Sequence, residues 1–378
     1  MDFDFSEDQQ MLAQTVADFA KKESPVERFR KLRDDEIGWE PKVWKHMGEL
    51  GWLSVPFPES VGGYGGTFVD AALILEQFGK ALIPEPYLPS VILGGLAVLR
   101  AGDADQQQRL LAPMIQGDAS LALAYAEREN RHDPSAIETE AKTSGTGYAL
   151  SGEKVWVLNG HRADHLIVSA QAPGGPTLFA VPRDAQGLSV TRVGTIEGKK
   201  AAFVKLDGVK VGDEDRLGEE GSAGPVLDRV MDYGAAAAVA EGAGIAQTML
   251  EMTVEYLGTR EQFGVKIGTF QALQHRAVDM FVETELLRSI SLASMAKVDE
   301  DDEAERRAAV SAAKYQLATG GVWVAQQALQ LHGGIGVTDE HDIGLYFKRM
   351  YALNALFGDE EHHVQRFAKD PRFAEAAD

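Results

Sequence analysis

The stretch MDYGAAAAVAEGAGIAQ, residues 231–247, is almost pure alanine and glycine, with one carboxylate, Glu241, near its middle. Between Tyr233 and Leu250 no other side chain is charged. At helical spacing Glu241 shares a face with Ala237, Ala238, Gly244 and Ile245, and with Gly234 two turns earlier. Small neighbours let another molecule pack close, and an apolar wall raises the pKa of a carboxylate. A carboxylate in such a place can act as a general base. The same letters also fit an ordinary helix glutamate with its head in water. Glu255 returns to nearly the same face, so periodicity alone does not bury Glu241.

Three further stretches combine charged, aromatic and glycine residues: YLGTREQFGVKIGTFQALQHRAVDM (256–280), ALQLHGGIGVT (328–338) and LSGEKVWVLNGHRADHLIVSA (150–170). Arg260 lies near a helix end. Gly333, Gly334 and Gly336 let a backbone approach a ligand closely, or simply make a loop. Trp156 reads either as a ligand platform or as strand core.

Other chemistry is excluded. The 378 residues contain no cysteine, which removes disulfides, thiolate metal sites and thiol nucleophiles. No metal site is expected. The formal net charge of −21, with no basic run, speaks against a nucleic-acid partner. The acidic opening MDFDFSEDQQ lacks the basic and apolar parts of a secretory signal. The longest apolar stretch, YLPSVILGGLAVL, is too short and too broken by Pro and Gly to span a bilayer. The expectation is a soluble, cytoplasmic, bacterial protein.

The elements that must position these residues fall into three blocks. Residues 1–118 read as helical. Ser6 is the N-cap of SEDQQMLAQTVADFAKK, with Met11, Leu12, Val16 and Phe19 at helical spacing. Residues 119–220 switch to short runs rich in Val, Leu and Thr, separated by turns, which predicts an all-β insert, a small barrel or sandwich. Residues 221–378 predict long helices of a four-helix bundle. The fold class is mainly α with a β-domain insert.

That order, together with the three quoted stretches, FPESVGGYGG and VKVGDEDRLGEEGSAG, resembles the acyl-CoA dehydrogenase family over essentially the whole chain. Within it the chain is most similar to the small subunits of heteromeric bacterial enzymes of the pimeloyl-CoA dehydrogenase type. The resemblance implies FAD as cofactor, an acyl-CoA substrate and an electron-transferring flavoprotein as electron acceptor. It further implies a homo-oligomer, or an α2β2 heterotetramer with a homologous subunit, and FAD shared across a subunit interface. Arg260 corresponds to a phosphate-binding arginine, followed by Gln262, Phe263, Phe270 and Gln271 at family positions. Gln330, Gly333, Gly334 and Gly336 correspond to the segment that meets the adenosine half of FAD. Trp156 corresponds to the tryptophan over the flavin ring.

The implied reaction removes the α-proton of an acyl-CoA thioester to a carboxylate while hydride leaves the β-carbon, giving a trans-2-enoyl-CoA. The family holds its glutamate at one of two places. Here Gly234 stands at one, and Asp359, in FGDEEHHVQR, falls near the other. Glu241 is therefore the first candidate for the base, and Asp359 the alternative. Ala126 and Leu158 stand where the family has threonines near the flavin. These departures leave a second reading open, a non-catalytic partner subunit that completes a neighbour's site.

Overall fold

The computed structural model describes residues 5–130 and 132–369. Its helices are α1 (Glu7–Glu23), α2 (Val26–Leu32), α3 (Pro41–Glu49), α4 (Phe68–Ala81), α5 (Leu96–Ala101), α6 (Ala104–Ile115), α7 (Ala223–Thr259), α8 (Gln271–Lys297), α9 (Glu303–Gln316), α10 (Val322–His332), α11 (Ile343–Ala355) and α12 (Glu360–Ala368). Helices precede and follow a block of strands, the order expected for a helical, β, helical chain. In space the chain forms two compact units, one built from residues 1–30, 68–83 and 235–378, the other from 31–67 and 84–234. The helices of the first third are thereby divided between the units.

In the first unit, α1 begins as its sequence requires. The Ser6 hydroxyl accepts from the Gln9 backbone N–H, and the Gln9 side chain accepts from the Ser6 N–H. This reciprocal cap satisfies two donors that the first helical turn leaves over. Val16 and Phe19 are buried as expected, but Met11 faces outward. The core draws on α7–α11, with Leu250, Leu287, Leu317, Val324 and Met350 among its side chains.

The alanine–glycine run of α7 has its explanation in this unit. A Cβ on Gly79 of α4 would collide with the Glu241 carbonyl oxygen, and one on Gly244 with the Glu76 carbonyl oxygen. The small residues let the backbones of α4 and α7 touch. Tyr346 of α11 fastens the pair further by donating to the Lys80 carbonyl at 2.8 Å.

The second unit centres on β1 (Leu121–Ala124), β2 (Glu140–Ser144), β3 (Gly147–Leu158), β4 (His165–Ala172), β5 (Gly175–Pro182), β6 (Leu188–Gly194), β7 (Lys200–Gly212) and β8 (Arg216–Leu217). They form one sheet in the order β6-β7-β3-β2-β4-β5-β8, with β1 added alongside β4 in parallel. The barrel expected from the sequence thus takes the form of a sheet whose end strands, β6 and β8, are not paired with each other. Its apolar side buries Leu150, Val157, Leu166, Phe179 and Val204. A charged pair is buried with them. Lys154 of β3 donates to Glu127, whose carboxylate also accepts from the Thr139 hydroxyl and the backbone N–H of Glu138. Burial pushes the Lys154 ammonium down to about 8, against the pull of Glu127.

Two short strands, β9 (Glu261–Gln262) and β10 (Val265–Lys266), form a hairpin after α7. No helix among the described residues is long and apolar enough to cross a membrane, and none of their side chains cluster as a metal site.

Candidate active site

Glu241 is buried, at 3% exposure, but its carboxylate is not free. Arg349 of α11 donates to it twice, Nε to Oε1 at 2.7 Å and Nη2 to Oε2 at 2.8 Å. This corrects the expectation of a base in an apolar pocket. A guanidinium fork engages both oxygens, leaving neither free to take a proton from a substrate. Of the small residues beside Glu241, Gly244 serves the close contact with α4. The sequence reading missed Arg349. Its signal was a single arginine inside the apolar run IGLYFKRMYAL, the cationic counterpart of a lone glutamate in an alanine helix.

Asp359, the alternative, is half-buried and caps α12, its Oδ1 accepting from the His362 N–H at 2.9 Å. It follows a turn in which Phe357 and Gly358 both have positive φ, 59° and 108°. A Cβ on Gly358 would stand 2.7 Å from His363 Nε2, so glycine is required there.

The hairpin after α7 carries Gln262 and Phe263, two of the residues expected at the cofactor. Phe263 and Gly264 form its two-residue loop with φ of 56° and 80°, the mirror-image turn that suits a tight hairpin. Phenylalanine is a poor choice for such a backbone, and its ring is 92% exposed. Phe270 lies edge-on to it at 6.1 Å, just before Gln271 opens α8. Arg260, at the end of α7, is exposed and makes no ion pair among the described residues. The Gln262 side chain folds back on the Glu261 carbonyl.

The glycine segment lies close by. Tyr256, one turn before Arg260, stacks at 4.6 Å on His332, which immediately precedes Gly333. A Cβ on Gly333 or Gly334 would meet nothing within 4 Å, so this backbone edge is open, and Gln330 is exposed beside it. Gly336 differs from the expectation. It is buried, and a Cβ there would press on the Leu329 carbonyl at 2.8 Å, so its smallness serves packing. His332 went unnoticed in the sequence. It is buried, with Nδ1 on the Ala328 carbonyl and Nε2 lacking a hydrogen-bond partner among the described residues.

In the other unit, Trp156 sits where the register of β3 against β7 shifts between Lys154 and Val157. Its φ is 52°. The irregularity turns the indole out of the core, leaving it 55% exposed with only the edge of Phe203 at 5.3 Å.

Comparison with known proteins matches the chain in three consecutive parts. Residues 6–118 match the family described as acyl-CoA dehydrogenase, N-terminal domain, residues 122–209 its middle domain, and residues 225–370 its C-terminal domain. The probable acyl-CoA dehydrogenase YngJ of Bacillus subtilis is 32% identical, covering 91% of this chain and 92% of that protein. The caffeyl-CoA reductase-Etf complex subunit CarC of Acetobacterium woodii is 28% identical, covering 92% of each. A chain in the crystal structure of the ChsE4-ChsE5 complex of Mycobacterium tuberculosis superimposes with a TM-score of 0.90 at 28% identity, covering 98% of this chain and 99% of that one.

Proposed function

The chain belongs to the acyl-CoA dehydrogenase family, and from that premise we propose that it converts an acyl-CoA thioester to the trans-2-enoyl-CoA in the cytoplasm and passes the electrons to an electron-transferring flavoprotein. It is a flavoprotein oxidoreductase acting on a CH–CH pair, with FAD as cofactor. The trans-2-enoyl-CoA product and the cytoplasmic location are proposed, as is the electron acceptor. The acceptor draws support from CarC, whose name places it in a complex with Etf.

The residues present fit FAD. Arg260 would offer a fixed cationic fork to the pyrophosphate. Phe263, Phe270, Gln262 and Gln271 surround that arginine in the chain. Gln330 and the open edge at Gly333 and Gly334 would receive the adenosine half, while Trp156 would cover the ring. FAD, when bound, supplies the acceptor for hydride from the substrate β-carbon. The chain's own part is to take the α-proton, and we assign that role to Asp359 now that Arg349 holds Glu241. The observation that carries the reading is the strained, exposed Phe263-Gly264 turn just after Arg260, an arginine with no ion pair among the described residues.

Arg260→Ala is expected to lower FAD retention by about 10–100-fold, since a hydrogen bond to a charged group contributes about 1.5–3 kcal/mol. The flavin absorbance of purified protein measures it. Full retention would remove Arg260 from the site.

Assembly is the second proposed property. Val278, Phe281, Val282 and Leu286 form one exposed apolar row on α8, each about half exposed. A row of this kind marks a protein interface. The oligomer is either a dimer of dimers of this chain or an α2β2 complex with a homologue. The ChsE4-ChsE5 complex is an assembly of two named components. Phe281→Asp is expected to lower the mass seen by light scattering and to release FAD with it. An unchanged mass would count against this face.

The non-catalytic reading has a specific observation in its favour: Glu241 of α7 is locked by Arg349. It predicts flavin bleaching only after a second, homologous chain is added.

A further inference from the structure

Lys314 of α9 is fully buried, yet its ammonium meets no carboxylate within salt-bridge distance among the described residues. It donates instead to two backbone carbonyls, Asn354 at 2.8 Å and Gly358 at 2.9 Å. The first belongs to the last turn of α11, where carbonyls lack helical partners. The second belongs to the residue before Asp359. One turn earlier on the same face of α9, Ser311 lies 3.3 Å from His363 Nδ1. His363 Nε2 reaches back to the Phe357 carbonyl at 3.0 Å. A carbonyl only accepts, so Nε2 carries the proton and Nδ1 accepts from the Ser311 hydroxyl. Successive positions of α9 thus hold both sides of the turn at residues 354–358, directly and through α12. That turn contains two left-handed residues, which persist only where their surroundings hold them.

We propose that Lys314 is a positioning residue, a clamp on the α11–α12 turn that fixes where Asp359 presents its carboxylate. The proposal rests on the reading of Asp359 as the base. A methionine would fill the same volume without the cost of burying an ammonium, so packing does not account for a lysine here. Burial pushes the Lys314 ammonium down to about 7, opposed by the charge of Asp359, and pushes the His363 imidazole down to about 2, so the latter stays neutral and keeps its tautomer.

The test uses the assembled, FAD-loaded protein and its Lys314→Met variant. Amide hydrogen exchange over residues 355–362 should rise about 10–100-fold in the variant, with α10 unchanged, because two hydrogen bonds from a charged donor are lost. Flavin bleaching by whichever saturated acyl-CoA bleaches wild type fastest should slow by about 10²-fold, the scale of a misplaced reacting group. FAD content and the dissociation constant of that thioester should hold. Unchanged exchange in this segment overturns the clamp. Faster exchange with undiminished bleaching, in a protein whose Asp359→Asn variant is dead, overturns its bearing on catalysis. If Asp359→Asn itself bleaches normally, the base reading fails, and the clamp is decided by exchange alone. Should Lys314→Met not fold, Ser311→Ala removes the other support, and faster exchange over the same residues is the expected result, unchanged exchange the contrary one.

Discussion

Arg349→Met should cost about 3–5 kcal/mol of stability, because it strands the Glu241 carboxylate in the interior without its partner. Arg349 and Glu241 are both under 5% exposed and joined by two short hydrogen bonds. Glu241→Gln should cost nearly as much, since it leaves the guanidinium buried without a counter-charge. The double variant Glu241→Leu, Arg349→Met should recover most of the loss, because two apolar side chains do not need each other's charge. Thermal melting of the FAD-loaded protein gives the reading, with drops on the order of 5–15 °C for the single variants. A single-variant drop within about a degree would mean that water reaches the pair. Below its own melting point, Glu241→Gln should still bleach its flavin at close to the wild-type rate. Loss of bleaching in a folded, FAD-loaded Glu241→Gln protein would return the base to α7.

The second large effect concerns Asp359. Asp359→Asn keeps the shape and the cap on the His362 N–H but cannot take a proton. Flavin bleaching by an acyl-CoA should fall about 10²–10⁴-fold, the usual contribution of a general base. The amide oxygen still accepts from His362, so α12 should remain formed and melting should shift little. Stopped-flow absorbance with and without a homologous second chain separates the outcomes. Undiminished bleaching in both settings removes Asp359. Bleaching that appears only with the second chain, and is indifferent to Asp359, assigns the chemistry to that chain and makes this one its partner.

Much of this molecule could be read from its letters, and the failures have physical causes. Ser6 and Gln9 are three residues apart, so the cap of α1 is a local fact and visible locally. The change from helical to strand period marked the β block for the same reason. Glu241 was misread because its partner lies 108 residues away, and a pattern within one helix cannot show it. Its glycine and alanine neighbours do report a close approach, but the approaching object is the α4 backbone, as Gly79 and Gly244 show. Family spacing singled out Arg260, Phe263 and Trp156 as cofactor candidates. It could not show that Phe263 and Trp156 stand on left-handed backbone with their rings in the open. Lys314 carries no signal in the sequence, since its partners are main-chain carbonyls that leave no trace in side-chain spelling.

The apolar row on α8 also bears on symmetry. If identical copies meet through this face, the row must be self-complementary about a two-fold axis, and every substitution in it is felt twice. A homologous second chain releases that constraint. Each partner then needs only to match the other's row, and the two chains are free to diverge. Under such a division one chain can keep a complete catalytic set while the other gives up its hydroxyls and its base and retains the surface that holds the pair together.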